Sequence, residues 1–214
     1  LMSADEFRAL LIGKTEQEAT SQNNIVYKAL TYARMVAADL VNPSPSNYGA
    51  PAPTDGLNPD EPRPKAGIEH EKIGEFDRDK PRPFSLIEFF NHINYLQAAR
   101  PKGTVLEKIT ETDFAKSFKS ILDKLSVLRR DPRIAFLMKE WSKGSSPTLG
   151  MVINQFVADM LDANGHQRDI RIIDISGLPN EVAGSLAAML ARLLFQYKIY
   201  QTLEERKRDP ILLV

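Results

Sequence analysis

The sequence predicts an α/β fold: a mostly helical segment followed by a parallel strand-helix-strand unit at the carboxyl-terminal end. Four isoleucines within residues 169–176 have the spacing and β-branched character of a strand. Gly177 ends this strand, and Pro179 begins a helix. The run from Ile211 to Val214 has the composition of a second strand. Two strands joined by a helix are expected to be parallel and connected in the right-handed sense.

Residues 179–208 are predicted to form the crossover helix between these strands. Apolar residues recur at helical spacing in its first part: Val182, Leu186, Met189, Leu190, Leu193, Leu194 and Tyr197. A helix that is apolar on most sides is expected to be buried on most sides. An apolar parallel strand needs neighbouring strands as well. Because the chain starts at Leu1 and stops on such a strand, we expect it to be a piece of a longer protein.

Residues 1–42 are predicted to form a helical segment. Ser3 and Glu6 have the spacing of a capping box, which predicts a short helix over residues 4–12. A second helix, with apolar residues on one face, is predicted to reach about Leu40.

The tripeptide Gly13-Lys14-Thr15 matches the end of a phosphate-binding loop. That motif also requires a glycine five positions before Gly13, after a strand, and the chain has Arg8 there within a helical pattern. We therefore interpret Gly13 as the end of the first helix.

Residues 43–83 contain nine of the fourteen prolines. This composition cannot bury enough apolar surface to offset the entropy of ordering the chain. Residues 43–65 are therefore predicted to form a mobile surface loop. Alternating apolar residues within residues 68–76 favour a weak edge strand or hairpin.

Residues 84–165 are predicted to be a second helical segment. Ser85 and Glu88 form another capping box, at the start of a helix that should reach about residue 99. The next helix should begin at Thr110 or Thr112 and end at Asp131-Pro132, because proline disrupts helices. Further helices are predicted over residues 134–141 and 147–163.

The composition excludes some classes of function. The chain has no cysteine, which excludes disulfides and thiolate catalysis. Its formal net charge of +0 gives no electrostatic argument for binding nucleic acid. No apolar run has the length of a membrane span, which is roughly 18 residues, and no signal peptide is evident. We expect a cytoplasmic protein.

The candidate site residues are few. His70, His92 and His166 are too widely spaced for a zinc motif, and no catalytic or metal-binding residue is predicted. Asp174 and Ser176 follow the first predicted strand, at the edge where parallel sheets bind ligands, so they are candidates for cofactor binding. The alternative is that Asp174 caps the turn by accepting backbone N–H groups.

Three arginines surround the predicted helix break at Asp131: Arg129, Arg130 and Arg133. Guanidinium groups at such a position could contact DNA phosphates. The alternative is that they form a plain exposed basic turn.

Several segments together resemble the HerA-like ATPases of the HerA/FtsK group, which are hexameric P-loop motors that move along DNA. The most specific is I-I-D-I-S-G-L-P-N-E-V at residues 172–182, which is followed by A-R-L-L-F at 191–195 and R-D-P-I-L-L-V at 208–214. Supporting segments are L-M-S-A-D-E-F at the start, D-K-P-R-P-F-S-L at 79–86 and L-R-R-D-P-R-I-A-F-L at 128–137.

The resemblance implies a RecA-like core, of which this chain would be the region between the Walker A and Walker B motifs. It further implies that the parent protein binds ATP and Mg²⁺, forms a hexameric ring on double-stranded DNA and works with a nuclease or other effector subunit. The chain itself carries no Gly-rich phosphate loop and no assignable pair of acidic residues, so we expect no ATP hydrolysis by it alone. The alternative function is a non-enzymatic helical module for protein–protein interaction.

Overall fold

In a computed structural model, the described residues are 2–12, 20–44, 62, 64–96, 100–102, 105–107, 119–133, 151, 170, 172–208 and 210–213. The helices and strands among them are α1 Ala4–Ile12, α2 Thr20–Ala37, α3 His70–Gly74, α4 Leu86–Leu96, β1 Arg100–Lys102, β2 Val105–Glu107, α5 Ser120–Arg130, α6 Asn180–Ile199 and α7 Leu203–Arg208. The chain divides into two compact units, Leu1–Met138 and Lys139–Val214.

Helix α1 begins at the predicted capping box. The backbone N–H of Glu6 donates to Ser3 Oγ (3.2 Å), and the backbone N–H of Ser3 donates to Glu6 Oε2 (2.7 Å). Two N–H groups that the first turn leaves without helical acceptors are satisfied in this way. The predicted bounds of this helix are confirmed.

The core of the first unit is formed by helices α1, α2, α4 and α5. Helix α2 packs against α1 and α4, and α1 also contacts α5. Phe7 lies at the centre, where its ring makes edge-to-face contacts with Phe84 (5.2 Å between centroids) and Phe89 (5.4 Å). The other buried apolar residues of this core are Ala4, Leu11, Ile12, Ile25, Val26, Ala29, Leu30, Ala33, Ile93, Ile121 and Leu125.

Helices α4 and α5 begin or end at predicted signals. The backbone N–H of Glu88 donates to Ser85 Oγ (3.4 Å) at the start of α4. At the other helix, Asp131 leaves the helical conformation with φ −75° and ψ 115°, directly before Pro132, and ends α5. The helices predicted over residues 134–141 and 147–163 lie outside the described residues.

Two local predictions in the first unit are wrong. Residues 70–74, predicted as part of a strand or hairpin, form the short helix α3. The strands β1 and β2 pair antiparallel, with Arg100 opposite Glu107, in a place where no strand was predicted. Apolar alternation over a few residues is compatible with either structure, so it does not decide between them.

The ends of the predicted mobile loop are fixed. Lys65 donates its backbone N–H to the Leu40 carbonyl (2.8 Å), and its ammonium pairs with Asp39 (2.7 Å). Val41 forms an isolated antiparallel bridge with Pro64. Residues 45–61 and residue 63 of that loop lie outside the described residues.

The predicted α/β fold, with its parallel strand-helix-strand unit at the carboxyl-terminal end, is wrong for the described part of the chain. Residues 172–175 and 210–213 have no regular secondary structure and pair with no described strand. Ile172 and Leu212 are 89% and 85% exposed. A β-branched segment becomes a strand only when a neighbouring strand satisfies its backbone groups and covers its side chains. The RecA-like core expected from the resemblance is therefore not formed by these residues.

The predicted crossover helix is divided in two. Helix α6 begins after Pro179, as predicted, but ends at Ile199, and α7 begins separately at Leu203. Thr202 and Glu205 form the capping box of α7: the backbone N–H of Glu205 donates to Thr202 Oγ1 (3.3 Å), and the N–H of Thr202 donates to Glu205 Oε2 (2.8 Å). This new helix start interrupts the predicted continuous helix.

Candidate functional site

Asp174 and Ser176 lie in the turn that leads to α6. Asp174 Oδ1 accepts the Ser176 hydroxyl (2.7 Å) and the Ser176 backbone N–H (2.9 Å). These two hydrogen bonds lower the pKa of the Asp174 carboxyl, with the hydroxyl contributing most. The turn-capping interpretation of Asp174 is therefore confirmed. Both side chains are exposed, so the carboxylate remains accessible, and a role in cofactor binding stays a prediction.

The three predicted DNA-contacting arginines lie at the carboxyl end of α5 and in the turn that follows. Arg133 Nη2 pairs with Asp131 Oδ2 at 2.7 Å, and Arg129 lies over the Phe90 ring at 5.9 Å from its centroid. The hydrogen bonds from Arg133 lower the pKa of the Asp131 carboxyl. Arg130 is exposed and makes no ion pair with any residue in the described part of the chain. Of the three, Arg130 is therefore best placed to meet an external phosphate.

A buried polar cluster links the segment after α2 to helix α4. The Ser44 backbone N–H donates to Glu88 Oε1 (2.8 Å), and Ser44 Oγ lies 2.9 Å from His92 Nδ1. The Tyr32 ring stacks on the His92 ring, with 3.9 Å between centroids, and its hydroxyl donates to the Asn42 carbonyl (2.7 Å). Residues 42–44 are thereby held to both helices.

Burial shifts the pKa of two groups in this cluster. It lowers the pKa of His92 to about 3, with a smaller contribution from the positive charge of Lys28. Burial also raises the pKa of Glu88, against the lowering effect of its hydrogen bonds from Ser44. Hydrolases use a serine–histidine pair as nucleophile and base, but that use requires contact with a substrate. Ser44 and His92 are 6% and 1% exposed, so this pair acts as a structural link.

A second buried polar group, Arg34 on α2, connects distant parts of the first unit. Arg34 is 1% exposed. Its guanidinium donates to the backbone carbonyls of Arg78 (2.8 Å) and Met2 (2.7 Å). Its Nε–H is buried and finds no acceptor among the described residues, and the same is true of the Nε–H of Arg82. Buried donors without acceptors are rare in folded proteins.

Sequence reasoning missed Ser44, Glu88, His92 and Arg34 as interacting groups. For Arg34 a signal existed, because it follows the buried Leu30 by four residues and so shares its helix face. For Ser44 no sequence signal existed. Glu88 was predicted to return to Ser85 in a capping box, and its carboxylate instead accepts from Ser44.

No group of three or more histidine, aspartate or glutamate side chains among the described residues could hold a metal ion. No described helix has both the length and the apolar character needed to cross a bilayer.

In comparisons with known proteins, no protein-family model, no curated protein and no solved structure matched this chain.

Proposed function

We propose that the chain is part of a HerA-like ATPase, which uses ATP hydrolysis to move along or unwind double-stranded DNA. The parent protein would act as a hexameric ring and work with a nuclease or other effector subunit. The observation that carries the proposal is the run I-I-D-I-S-G-L-P-N-E-V at residues 172–182, together with the order of the supporting segments along the chain.

The local structure around this run is compatible with the proposal. The run contains a turn stabilised by Asp174 and Ser176, and helix α6 follows directly at Asn180. Exposed apolar side chains flank the helix on both sides in the sequence, with Ile172 before it and Leu212 after it. Several large apolar side chains exposed together are typical of a surface that another protein subunit covers. A ring of subunits would supply such a covering.

The proposal gives the candidate residues separate roles. Asp174 and Ser176 would lie on the nucleotide side of the parent protein, where ATP and Mg²⁺ bind. Arg130, and more weakly Arg129 and Arg133, would contact DNA phosphates. Such contacts fix a protein on the duplex without reading its sequence.

The test is ATP hydrolysis by the protein expressed from the complete reading frame, with and without duplex DNA. We expect hydrolysis that duplex DNA stimulates, while the 214-residue chain by itself should hydrolyse none. Arg130→Gln should weaken DNA binding and reduce the slope of log affinity against log salt by about 0.9, the contribution of one phosphate contact. The control is Lys207→Gln, which removes an exposed charge from α7. Absence of ATP hydrolysis by the complete protein would refute the proposal.

A second candidate function is a non-enzymatic helical module for protein–protein interaction. It is favoured by the helical character of the described residues and by exposed apolar side chains in α6 and α7, namely Phe195 and Leu203, each 66% exposed. Phe195→Ser should then abolish binding of a partner without changing thermal stability. A complete protein that binds a partner through this surface and does not hydrolyse ATP would support the module over the motor.

A further inference from the structure

Residues 42–44 form a clasp between the end of α2 and helix α4. Ser44 contacts α4 twice: its backbone N–H donates to Glu88 Oε1 (2.8 Å), and its hydroxyl lies 2.9 Å from His92 Nδ1. The clasp also contacts α2, because the Tyr32 hydroxyl donates to the backbone carbonyl of the first clasp residue (2.7 Å). The Ser44 hydroxyl thereby covers one nitrogen of an imidazole that is 1% exposed.

The clasp is held by polar contacts, while the core beside it is apolar. In the described part of the chain, the buried apolar core contains no clasp residue, and its members on α4 are Phe89 and Ile93. Detaching the clasp breaks the hydrogen bonds above and leaves the apolar contacts of Phe89 and Ile93 in place. Local openings that lose few apolar contacts require less free energy than unfolding of the whole domain. The clasp therefore opens more readily than the helical core.

A charge on His92 is unfavourable while the clasp is closed. The charged and titratable groups that face this imidazole among the described residues are Lys28 and Tyr32 on α2 and Glu88 and Tyr95 on α4. Burial, and to a smaller extent the positive charge of Lys28, lower the pKa of His92 from 6.5 to about 3. Detachment of the clasp gives the imidazole access to water and so returns its pKa towards 6.5.

We propose that the clasp is released by acid: protonation of His92 detaches residues 42–44 from α2 and α4 while the helical core of the first unit stays folded. Protons bind the open form more tightly than the closed form, so the open population increases as the pH falls. Between about pH 7.5 and about pH 5, His92 alone should multiply the equilibrium constant for opening by about 30. The proposal goes beyond the motor function and does not depend on it, because its evidence lies in residues 28–95.

Glu88 acts in the opposite sense. Burial raises the pKa of this carboxyl in the closed clasp, so acid stabilises the closed form through Glu88. The hydrogen bonds from Ser44 limit this rise, whereas both causes that act on His92 lower its pKa. The effect of His92 is therefore the larger of the two, and Glu88 reduces the release without preventing it.

The experiment is amide hydrogen exchange measured by NMR on the full 214-residue chain, at about pH 7.5 and about pH 5, with each rate corrected for the intrinsic rate at that pH. The Ser44 N–H, which donates to Glu88, reports on the clasp, and the Ile93 N–H in α4 reports on unfolding. We expect the Ser44 protection factor to be at least about tenfold lower than that of Ile93 at both pH values. On acidification the Ser44 protection factor should fall by about tenfold, which is the effect of His92 reduced by that of Glu88.

Two variants separate the contributions of the titrating groups. Glu88→Gln keeps an acceptor for the Ser44 N–H but removes the opposing titration, so the fall should increase to about 30-fold. His92→Asn cannot be protonated, so the fall should disappear. The control is His70→Asn, which replaces an exposed histidine of α3 and should leave the fall unchanged.

The proposal is overturned if Ser44 and Ile93 have equal protection factors, because the clasp would then open only when the unit unfolds. It is also overturned if the Ser44 protection factor does not fall with pH, or if folded His92→Asn shows the same fall as the unmodified chain. Circular dichroism shows whether His92→Asn is folded. If it is unfolded, Glu88→Gln decides, since a fall no larger than that of the unmodified chain contradicts the proposed opposition of the two groups.

Discussion

Replacing His92 with asparagine is expected to flatten the pH dependence of stability at acidic pH. Asparagine can still form a hydrogen bond with the Ser44 hydroxyl, because its side-chain amide both donates and accepts, but it cannot be protonated. His92 is almost completely buried, and burial lowers its pKa from the ordinary value of 6.5 to about 3. The folded protein therefore keeps His92 neutral over a pH range in which the unfolded chain takes up a proton.

The sign follows from this lowered pKa. The contribution of the neutral His92 to the free energy of unfolding is fully present above pH 6.5 and is lost as the pH falls from there towards 3. Each pH unit within this range corresponds to about 1.4 kcal/mol. By about pH 4.5 the free energy of unfolding should have fallen by about 2 to 3 kcal/mol on account of His92. The asparagine variant, which also loses the stacking contact with Tyr32, should start from a lower stability at pH 7.5 and lack this fall.

The assay is urea unfolding followed by circular dichroism, from about pH 7.5 to about pH 4.5. The control is His70→Asn, because His70 is exposed at the start of α3. We expect the His92→Asn curve to diverge from the unmodified protein as the pH falls, and the His70→Asn curve to stay parallel to it. Parallel curves for His92→Asn would show that His92 is not held neutral by burial.

Two further predictions concern the same unit. Glu88→Gln should make the free energy of unfolding fall more steeply as the pH is lowered. The raised pKa of Glu88 stabilises the fold fully below pH 4.5, its ordinary pKa, and this contribution is lost as the pH rises through the raised pKa. The same urea series measures this slope, and an unchanged slope would contradict the prediction. Leu125→Ala should lower the free energy of unfolding by about 2 to 5 kcal/mol, because Leu125 is 0% exposed in the contact between α5 and the core. The control is Val127→Ala on the same helix, where the side chain is 68% exposed, and it should change the free energy of unfolding by less than about 0.5 kcal/mol. Equal losses from the two variants would contradict the packing of Leu125 in the core.

The predictions that held rest on short-range interactions. The capping box of Ser3 and Glu6 joins residues three positions apart, and Asp131-Pro132 stops α5 through the backbone of adjacent residues. The turn-capping role of Asp174 likewise needs only its neighbour Ser176. In each case the residues that interact are also neighbours in the sequence, so their spacing already indicates the contact.

The predictions that failed concern segments whose structure depends on distant partners. The isoleucines of residues 172–175 have the composition of a strand, but no described strand pairs with them. Strand formation requires hydrogen bonds to another segment, and nothing in the composition of one segment ensures that the other is present. The candidate arginines illustrate the same limit: their clustering was predictable, while the position of Arg129 over the ring of Phe90, which belongs to another helix, was not.

The sequence by itself determined where several helices begin and end, because caps, prolines and helical spacing act within a few residues. Only the tertiary structure decided which polar groups are buried together. Ser44 meets His92 across 48 residues, and Arg34 meets the Arg78 carbonyl across 44. These contacts form because the packing of α2 against α4, and of residues 77–82 against α2, excludes water from groups that must then hydrogen-bond to one another. The lowered pKa of His92 and the unused donors of Arg34 and Arg82 follow from that packing.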